Sequence, residues 1–277
     1  MIKTFSKVKK LNGELRLPGD KSISHRSVMF SSLAGGISRI KNCSNAEDVL
    51  TTISIFKCMG VGFQNKDDEM IVQGKGFMNL NKPLGELYAG NSGTTARLMC
   101  GILSAQNFET VLTGDQSLSQ RPMGRIVEPL KEMGADISAN INGNMPVIIK
   151  PSAKFHNIHY TMKVASAQVK SAILLAGMHL EQESVITEYI PTRNHTEKLL
   201  GLRTEKIENG VRILVSKSNY PKPFELTVPS DISTAAFFMV FAILLENSEI
   251  TIKNVSLNDT RTGIIEILKR MGGQIKI

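Results

Sequence analysis

The sequence predicts an α/β protein built from a repeated unit of strand, helix, strand and helix. Three observations predict it. Similar short segments recur along the chain, and an apolar run of helical period follows each of them. A second helical run comes later in each copy, and in three copies it ends in a Met-Gly pair. Recurrence of this kind is typical of structurally equivalent copies. Alternating strands and helices favour sheets that are covered by helices.

The copies begin at serines that follow small or polar residues. These serines are 70, 74 and 64 residues apart, at Ser22, Ser92, Ser166 and Ser230. The helical runs that follow them are predicted at 23–33, 94–103, 169–180 and 232–245. Hydroxyl and other small polar residues before an apolar periodic run indicate a helix N-cap. Each copy is therefore expected to open with a helix N-terminus.

A short β-rich segment follows each of these helices, and a second amphipathic helix then closes the copy. The strands are predicted at 38–40, 110–112, 184–187 and 249–252. The closing helices end at Gly60, Gly134 and Gly272, with a degenerate third ending at Gly201. Glycine at this position allows the left-handed backbone that turns the chain out of a helix.

The first copy carries cations at its helix start, where unpaired N–H groups attract anions. Lys21 supplies a mobile charge, while Ser22 and Arg26 are four residues apart and share one helix face. An ammonium, a hydroxyl and a forked guanidinium together predict a phosphate or carboxylate site. His25 is interpreted as a packing residue.

The second copy offers Asn91 as a hydrogen-bonding side chain and Gly93 as a point of close backbone approach to a ligand. Downstream, Arg121 is a candidate cation, and Arg125 is expected to face solvent. Each of these signals is weak alone, so their value depends on the other copies.

The third copy supplies the hydroxyl of Ser166 and the amide of Gln168, with Arg193 as a further candidate cation. Lys170 is interpreted as a surface residue whose stem lies along the protein. In the fourth copy Asp231 is interpreted as an N-cap with no cation near it. Cations thus collect on three copies, which favours a site for a small polyanion between them.

Composition favours a small anion over a nucleic acid. The net charge is +8, but aromatic residues are 5% and tryptophan is absent, so aromatic stacking on bases is not expected. Neither a P-loop nor a metal-ligating cluster is recognisable. The three cysteines form no pair motif and predict reduced thiols. The longest apolar run, 235–245, is too short for a bilayer, and without a signal peptide a cytoplasmic location is expected.

Several segments, in this order, resemble the 5-enolpyruvylshikimate-3-phosphate synthases, also called 3-phosphoshikimate 1-carboxyvinyltransferases. The resemblance covers nearly the whole chain. The matching segments are Leu17–Arg26, Gly90–Leu98, Gln120–Met123, Val164–Ala172, Arg193–Glu197 and Val228–Ser233.

The resemblance implies a fold of two domains, each made of three βαβαββ units, of the inside-out α/β barrel type. Four of the six units are present in this sequence. Residues 20–228 are then expected to form a complete three-unit domain, and 1–19 with 229–277 part of the second. The resemblance also implies that the carboxylates acting as acid and base lie in the last two units, so the chain is expected to be incomplete and inactive alone.

The implied reaction transfers the enolpyruvyl group of phosphoenolpyruvate to the 5-hydroxyl of shikimate 3-phosphate and releases phosphate. It serves the shikimate pathway and aromatic amino-acid biosynthesis, needs no metal or organic cofactor, and is the target of glyphosate. The implied partners are these two small molecules, with neither nucleic acid nor membrane, and a monomer is expected.

Site residues carry over from the resemblance by position. Those implied for shikimate 3-phosphate are Lys21, Ser22, Arg26, Ser166, Ala167, Gln168 and Arg193. Those implied for phosphoenolpyruvate are Lys21, Asn91, Gly93, Arg121 and Gln168. Lys21 is the implied catalytic residue, because it is expected to touch both substrates.

Two alternatives stay open. A UDP-N-acetylglucosamine enolpyruvyl transferase has the same fold, but that group carries Lys-Asn at the first helix and a reactive cysteine before the Arg-Pro pair. Here Ser22 follows Lys21, and residues 114–120 contain no cysteine. The second alternative is an anion-binding fragment without catalysis.

Overall fold

The computed structural model of the chain describes residues 4 and 6–277. Its elements follow one another as four copies of one unit. The first copy comprises β1 Asn12–Arg16, α1 Lys21–Leu33, β2 Gly35–Lys41, α2 Glu47–Cys58, β3 Gly62–Lys66 and β4 Glu69–Lys75. The second comprises β5 Leu87–Tyr88, α3 Gly93–Ser104, β6 Thr110–Thr113, α4 Gln116–Ser119, α5 Gly124–Glu132, β7 Asp136–Ser138 and β8 Val147–Lys150.

The third and fourth copies repeat this order. The third comprises β9 His159–Thr161, α6 Ala167–Gly177, β10 Ser184–Glu188, α7 His195–Leu200, β11 Arg203–Ile207, β12 Gly210–Val215 and a 3-10 turn at Lys217–Asn219. The fourth comprises β13 Glu225–Thr227, α8 Ile232–Leu244, β14 Glu249–Lys253 and α9 Gly263–Arg270. The predicted opening helices and the strands that follow them are confirmed, with ends shifted by up to three residues.

The opening helices are capped by side chains. Ser92 accepts a hydrogen bond from the Thr95 N–H at 3.2 Å, and Ser166 accepts one from the Val169 N–H at 3.4 Å. In the first copy the cap is Asp20 instead of Ser22, so Lys21 and Ser22 lie inside the first turn of α1. The interpretation of Asp231 as an N-cap of α8 is confirmed.

The glycines that close the second helices all have positive φ angles. The values are +85° at Gly60, +79° at Gly134, +60° at Gly201 and +93° at Gly272. A Cβ atom at Gly134 would lie 2.1 Å from the Lys154 carbonyl oxygen, so this turn excludes any larger residue. The left-handed turns predicted at these glycines are confirmed.

Three mixed sheets of four strands surround the opening helices. Their strand orders are β5-β6-β8-β7, β9-β10-β12-β11 and β13-β2-β4-β3. In the second and third copies, the strand before the opening helix joins the sheet of its own copy. β13 takes that place in the sheet of the first copy, while β1 pairs in parallel with β14 of the fourth. The first and fourth copies therefore exchange their leading strands.

Three opening helices lie at the centre of the main core. Every residue of α1 from Ile23 to Leu33 is buried, and α3 packs against α6. One continuous cluster of buried apolar side chains extends from Ile23 to Val228. The sheets therefore lie outside and the helices inside, in agreement with the predicted fold class.

The division into residues 20–228 and a partial second domain stays a prediction. The two crossing segments lie side by side, because Asp20 N–H donates to the Pro229 carbonyl at 2.7 Å and Asp231 N–H donates to the Pro18 carbonyl at 3.0 Å. The end of the apolar cluster at Val228 favours the same boundary.

The fourth copy exposes much of its apolar helix. Phe237 is 78% exposed and Leu244 is 71% exposed, whereas Ile232 and Ala235 are buried. The segment 236–241 therefore presents apolar surface. Within the part of the chain that the structure describes, no helix has both the length and the apolar character needed to cross a bilayer.

Candidate functional site

A cavity of about 660 Å³ opens where the N-termini of α1, α3 and α6 meet. It contains six of the seven residues predicted to bind shikimate 3-phosphate, which come from the first and third copies: Ser22, Arg26, Ser166, Ala167, Gln168 and Arg193. Lys21, the seventh, does not line it. The N–H groups of three first turns therefore face one space, where their partial positive charges favour an anion.

Arg26 is the most constrained cation at this cavity. Its side chain is buried, and it donates to the Thr196 hydroxyl at 2.7 Å, to the Ser171 hydroxyl at 2.8 Å and to the Ser22 carbonyl at 3.0 Å. Burial lowers the pKa of Arg26 to about 10, and the Glu197 carboxylate partly opposes that shift. The guanidinium stays charged at neutral pH and is held in one orientation.

Lys21 is placed at the edge of the cavity by two neighbouring elements. Its ammonium pairs with the Asp48 carboxylate of α2 at 2.8 Å, and its backbone N–H donates to Asp231 at 3.2 Å. The Lys21 side chain is about half exposed. The position predicted for contact with both substrates is thus accessible, but its charge is paired in the absence of ligand.

The N-terminus of α3 is flanked by two guanidinium groups. A Cβ atom at Gly93 would lie 3.2 Å from Nη1 of Arg121 and 3.4 Å from Nη1 of Arg97. Burial lowers the pKa of Arg97 to about 10, and the charges of Arg125 and Arg121 lower it further. Arg125, predicted to face solvent, is exposed and also lines the cavity.

Gln168 connects the two helices that carry these groups. Its Oε1 accepts a hydrogen bond from Arg97, and its Nε2 donates to the Thr94 hydroxyl at 3.2 Å. Sequence reasoning missed Arg97 as a site residue. A signal existed, because Arg97 follows Gly93 by four residues, the spacing that selected Arg26 after Ser22.

Asn91 and Arg121 are joined beside the same helix start. Arg121 donates to Asn91 Oδ1, and Asn91 Nδ2 donates to Asp115 Oδ2 at 2.7 Å. Asp115 in turn caps α4 by accepting from the Leu118 N–H at 2.7 Å. This chain of contacts fixes Arg121 beside Gly93 at the N-terminus of α3.

The fourth copy takes part in the site, and the expectation that no cation lies near Asp231 was wrong. Arg261 donates to Ser233 in the first turn of α8, and its charge contributes to the lowered pKa of Arg193. Asn258 donates to Asn194 Oδ1 at 2.8 Å, while Asp259 and Thr260 line the cavity. These residues follow Asp231 by about 30 positions, so no local pattern predicts the contacts.

The interpretation of Lys170 as a surface residue was also wrong. Its side chain is completely buried, and its ammonium lies 2.8 Å from Glu188 Oε2 and 2.7 Å from Glu197 Oε1. A lysine four residues after a helix cap is more often exposed, and only the packing of α6 against β10 and α7 places this one inside.

Acid should destabilise the chain through three buried histidines. Desolvation lowers the pKa of His25 to about 3 and those of His179 and His195 to about 4, from 6.5. Because their folded pKa values are depressed, the stability they contribute is present above pH 6.5 and is lost as pH falls toward 4. Each contributes a slope of about 1.4 kcal/mol per pH unit inside that window.

The measurement is urea denaturation between pH 7 and pH 5. His179→Leu should reduce the pH dependence of the unfolding free energy by the slope of one histidine, while His159→Leu, at an exposed position, should leave it unchanged. Equal slopes in both variants would contradict the assignment of His179.

Solved structures assign the fold. The enolpyruvyl transferase NikO from Streptomyces tendae superimposes with a TM-score of 0.73 over 97% of this chain and 64% of its own, at 15% identity. At that identity the likeness shows only that the two chains share one fold. EPSP synthase from Acinetobacter baumannii superimposes with a TM-score of 0.87 at 45% identity, over 95% of this chain and 61% of that one.

Sequence comparisons assign the family. The profile of EPSP synthase (3-phosphoshikimate 1-carboxyvinyltransferase) matches residues 5–277. A 3-phosphoshikimate 1-carboxyvinyltransferase of Leuconostoc citreum is 48% identical over 96% of this chain and 62% of its own length. One of Alkaliphilus metalliredigens is 47% identical over 98% and 64%. The chain belongs to the EPSP synthase family, and it spans less than two thirds of the length of these relatives.

Proposed function

We propose that this chain supplies the binding site for shikimate 3-phosphate, and part of the site for phosphoenolpyruvate, in an enolpyruvyl transfer reaction. The observation that carries the proposal is the cavity in which six predicted residues from the first and third copies converge. Because these residues are separated by up to 171 positions in the chain (Ser22 to Arg193), their meeting is not a consequence of local sequence. A cytoplasmic location and a monomeric state belong to the same proposal.

The phosphate of shikimate 3-phosphate is proposed to lie between α1 and α6. The hydroxyls of Ser22 and Ser166 can donate to its oxygens, and Ala167 presents a first-turn N–H. Arg193 faces the same cavity from the loop before α7. Charge-assisted hydrogen bonds of this type are stronger than neutral ones, so the dianion is expected to be the tightly held part of the substrate.

Phosphoenolpyruvate is proposed to lie beside the N-terminus of α3. Gly93 leaves its helix start open, Arg121 stands next to it, and Gln168 joins this region to the first substrate. Lys21 lies at the edge of both regions, and exchanging Asp48 for a substrate anion would bring its charge to the reacting centre. Fixed positive charge at such a centre stabilises negative charge that develops in the transition state.

The proposed reaction begins with attack of the 5-hydroxyl oxygen on C2 of phosphoenolpyruvate. A C–O bond forms, C3 gains a proton, and the hydroxyl loses one. C3 then loses a proton, and the bond between C2 and the phosphate oxygen breaks. Inorganic phosphate is released and the vinyl group is restored. Binding of the two substrates is the part proposed for the residues described here, and turnover is proposed for the whole protein.

Calorimetry with two alternative acceptors tests the assignment. Shikimate 3-phosphate should bind, whereas UDP-N-acetylglucosamine should give no measurable heat at the same concentration. The reverse preference would replace the proposal with the cell-wall type of enolpyruvyl transferase. Absence of binding by both compounds would contradict the assignment of this cavity as the acceptor site.

A further inference from the structure

A buried ionic cluster lies directly behind the cavity. Lys170 of α6 pairs with Glu188 at the end of β10 and with Glu197 in α7, at 2.8 Å and 2.7 Å. All three side chains are at least nine-tenths buried. A buried ion pair costs desolvation that its attraction does not always repay, so packing alone does not explain why an ammonium occupies this position.

Arg26 contacts two residues that are adjacent in sequence to Lys170 and Glu197. Arg26 donates to Ser171, the residue after Lys170, and to Thr196, the residue before Glu197. The hydroxyls of Ser171 and Thr196 are 2.7 Å apart and complete the connection. Any movement of the Lys170–Glu197 pair therefore moves the two groups that hold the Arg26 guanidinium.

Burial lowers the pKa of Arg26, and nearby carboxylates oppose this shift. Among these carboxylates Glu197 has the largest effect, ahead of Asp20. Yet, among the residues that the structure describes, no carboxylate oxygen lies within 4.0 Å of the guanidinium. One Glu197 oxygen is held by Lys170, and the other, Oε2, is buried without a hydrogen-bond partner. Glu197 thus has a spare acceptor but does not reach Arg26.

Arg26 consequently keeps donors for a ligand. A guanidinium has five N–H groups, and three of them are used on Ser22, Ser171 and Thr196. Two remain beside a cavity that Arg26 itself lines. If Glu197 approached, its carboxylate would take these donors in a bidentate pair and neutralise the charge.

We propose that Lys170 is a positioning residue that holds Glu197 away from Arg26 and so keeps Arg26 free to bind the anion in the cavity. The proposal deepens the proposed function and depends on it for the identity of that anion, shikimate 3-phosphate. Lys170 touches no substrate in this arrangement. It acts through the carboxylate that would otherwise compete with the ligand for the same two N–H groups.

The first test compares Lys170→Met with the double variant Lys170→Met/Glu197→Gln by calorimetry with shikimate 3-phosphate. Methionine keeps the length and removes the charge, so affinity should fall at least tenfold as Glu197 turns to Arg26. Removing the Glu197 charge in the double variant should restore affinity to within about threefold of wild type. A purely structural role for Lys170 predicts no such rescue, because the double variant has lost even more of the cluster.

If Lys170→Met does not fold, the single variant Glu197→Gln still tests the proposal. With Lys170 retained, this variant should bind shikimate 3-phosphate at least as tightly as wild type. Lys253→Met is the matched control, because it removes a lysine from the partly exposed pair with Glu14. Wild-type affinity in Lys170→Met, no rescue in the double variant, or weakened binding in Glu197→Gln would each overturn the proposal.

A crystal structure of ligand-free Lys170→Met tests the proposal without any substrate. Glu197 should then lie within 4 Å of the Arg26 guanidinium. Unchanged positions of both side chains would overturn the role of Lys170 even if shikimate 3-phosphate binds. If the wild-type chain does not bind shikimate 3-phosphate but the variant shows this contact, the proposed function fails while the positioning role stands.

Discussion

Replacing Arg26 with alanine should lower the affinity for shikimate 3-phosphate by one to two orders of magnitude. Two N–H groups of Arg26 remain available at the cavity, and hydrogen bonds to a charged group are worth about 1.5–3 kcal/mol. Each 1.4 kcal/mol corresponds to about tenfold in affinity, so the loss of this contact accounts for the expected range. The Ser171 and Thr196 hydroxyls can still bond to each other, which should limit the structural damage.

Calorimetry on Arg26→Ala, Arg26→Lys and Arg203→Ala separates the effects. Arg26→Lys keeps the charge but loses the fork, so its affinity should lie between wild type and Arg26→Ala. Arg203 forms exposed ion pairs on β11, and its removal should leave binding unchanged. Thermal unfolding establishes that each variant is folded. Wild-type affinity in folded Arg26→Ala would place the anion elsewhere.

Gly101→Ala should produce the largest loss of stability among single methyl additions to the central helices. A Cβ atom at Gly101 in α3 would lie 2.1 Å from the Ala172 carbonyl oxygen and 3.0 Å from its Cα in α6. The obstacle is buried backbone, so α3 and α6 must separate. Overpacking of a core costs about 1–3 kcal/mol and sometimes more, and this site should reach the upper end.

The measurement is the free energy of unfolding in urea, together with the affinity for shikimate 3-phosphate. Moving α6 also moves Ser166 and Gln168 relative to α1, so affinity should fall with stability. Gly263→Ala is the control, since nothing lies within 4 Å of its Cβ position and alanine favours the helix α9. A stability equal to wild type in Gly101→Ala would contradict the close packing of α3 on α6.

The repeated unit could be predicted from sequence because each of its parts depends on neighbouring residues. A hydroxyl or carboxylate caps the helix that begins one residue later, as Ser92 and Ser166 do. A glycine turns the chain immediately after a helix, as Gly60 and Gly134 do. Recurrence of these local signals four times made the fold class recognisable without any long-range contact.

The candidate site was predictable only in part, for the same reason. Ser22 and Arg26 were selected by a spacing within one helix, and both line the cavity. Arg97 obeys the same spacing relative to Gly93, but its position between Arg121 and Gln168 depends on the approach of the second and third copies. Asn258 and Arg261 of the fourth copy also contribute to the site, but no local sequence pattern around them predicts this contribution.

The sequence by itself determined the succession of helices and strands, the caps and the glycine turns, because those features are set within a few residues. Only the tertiary structure decided the exchange of β1 and β13 between the first and fourth copies, since parallel pairing joins residues more than 180 positions apart. It also decided the burial of Lys170, whose spacing in α6 is that of a surface residue. The charge of Lys170 can lie inside the protein because Glu188 and Glu197, from other elements, compensate it there.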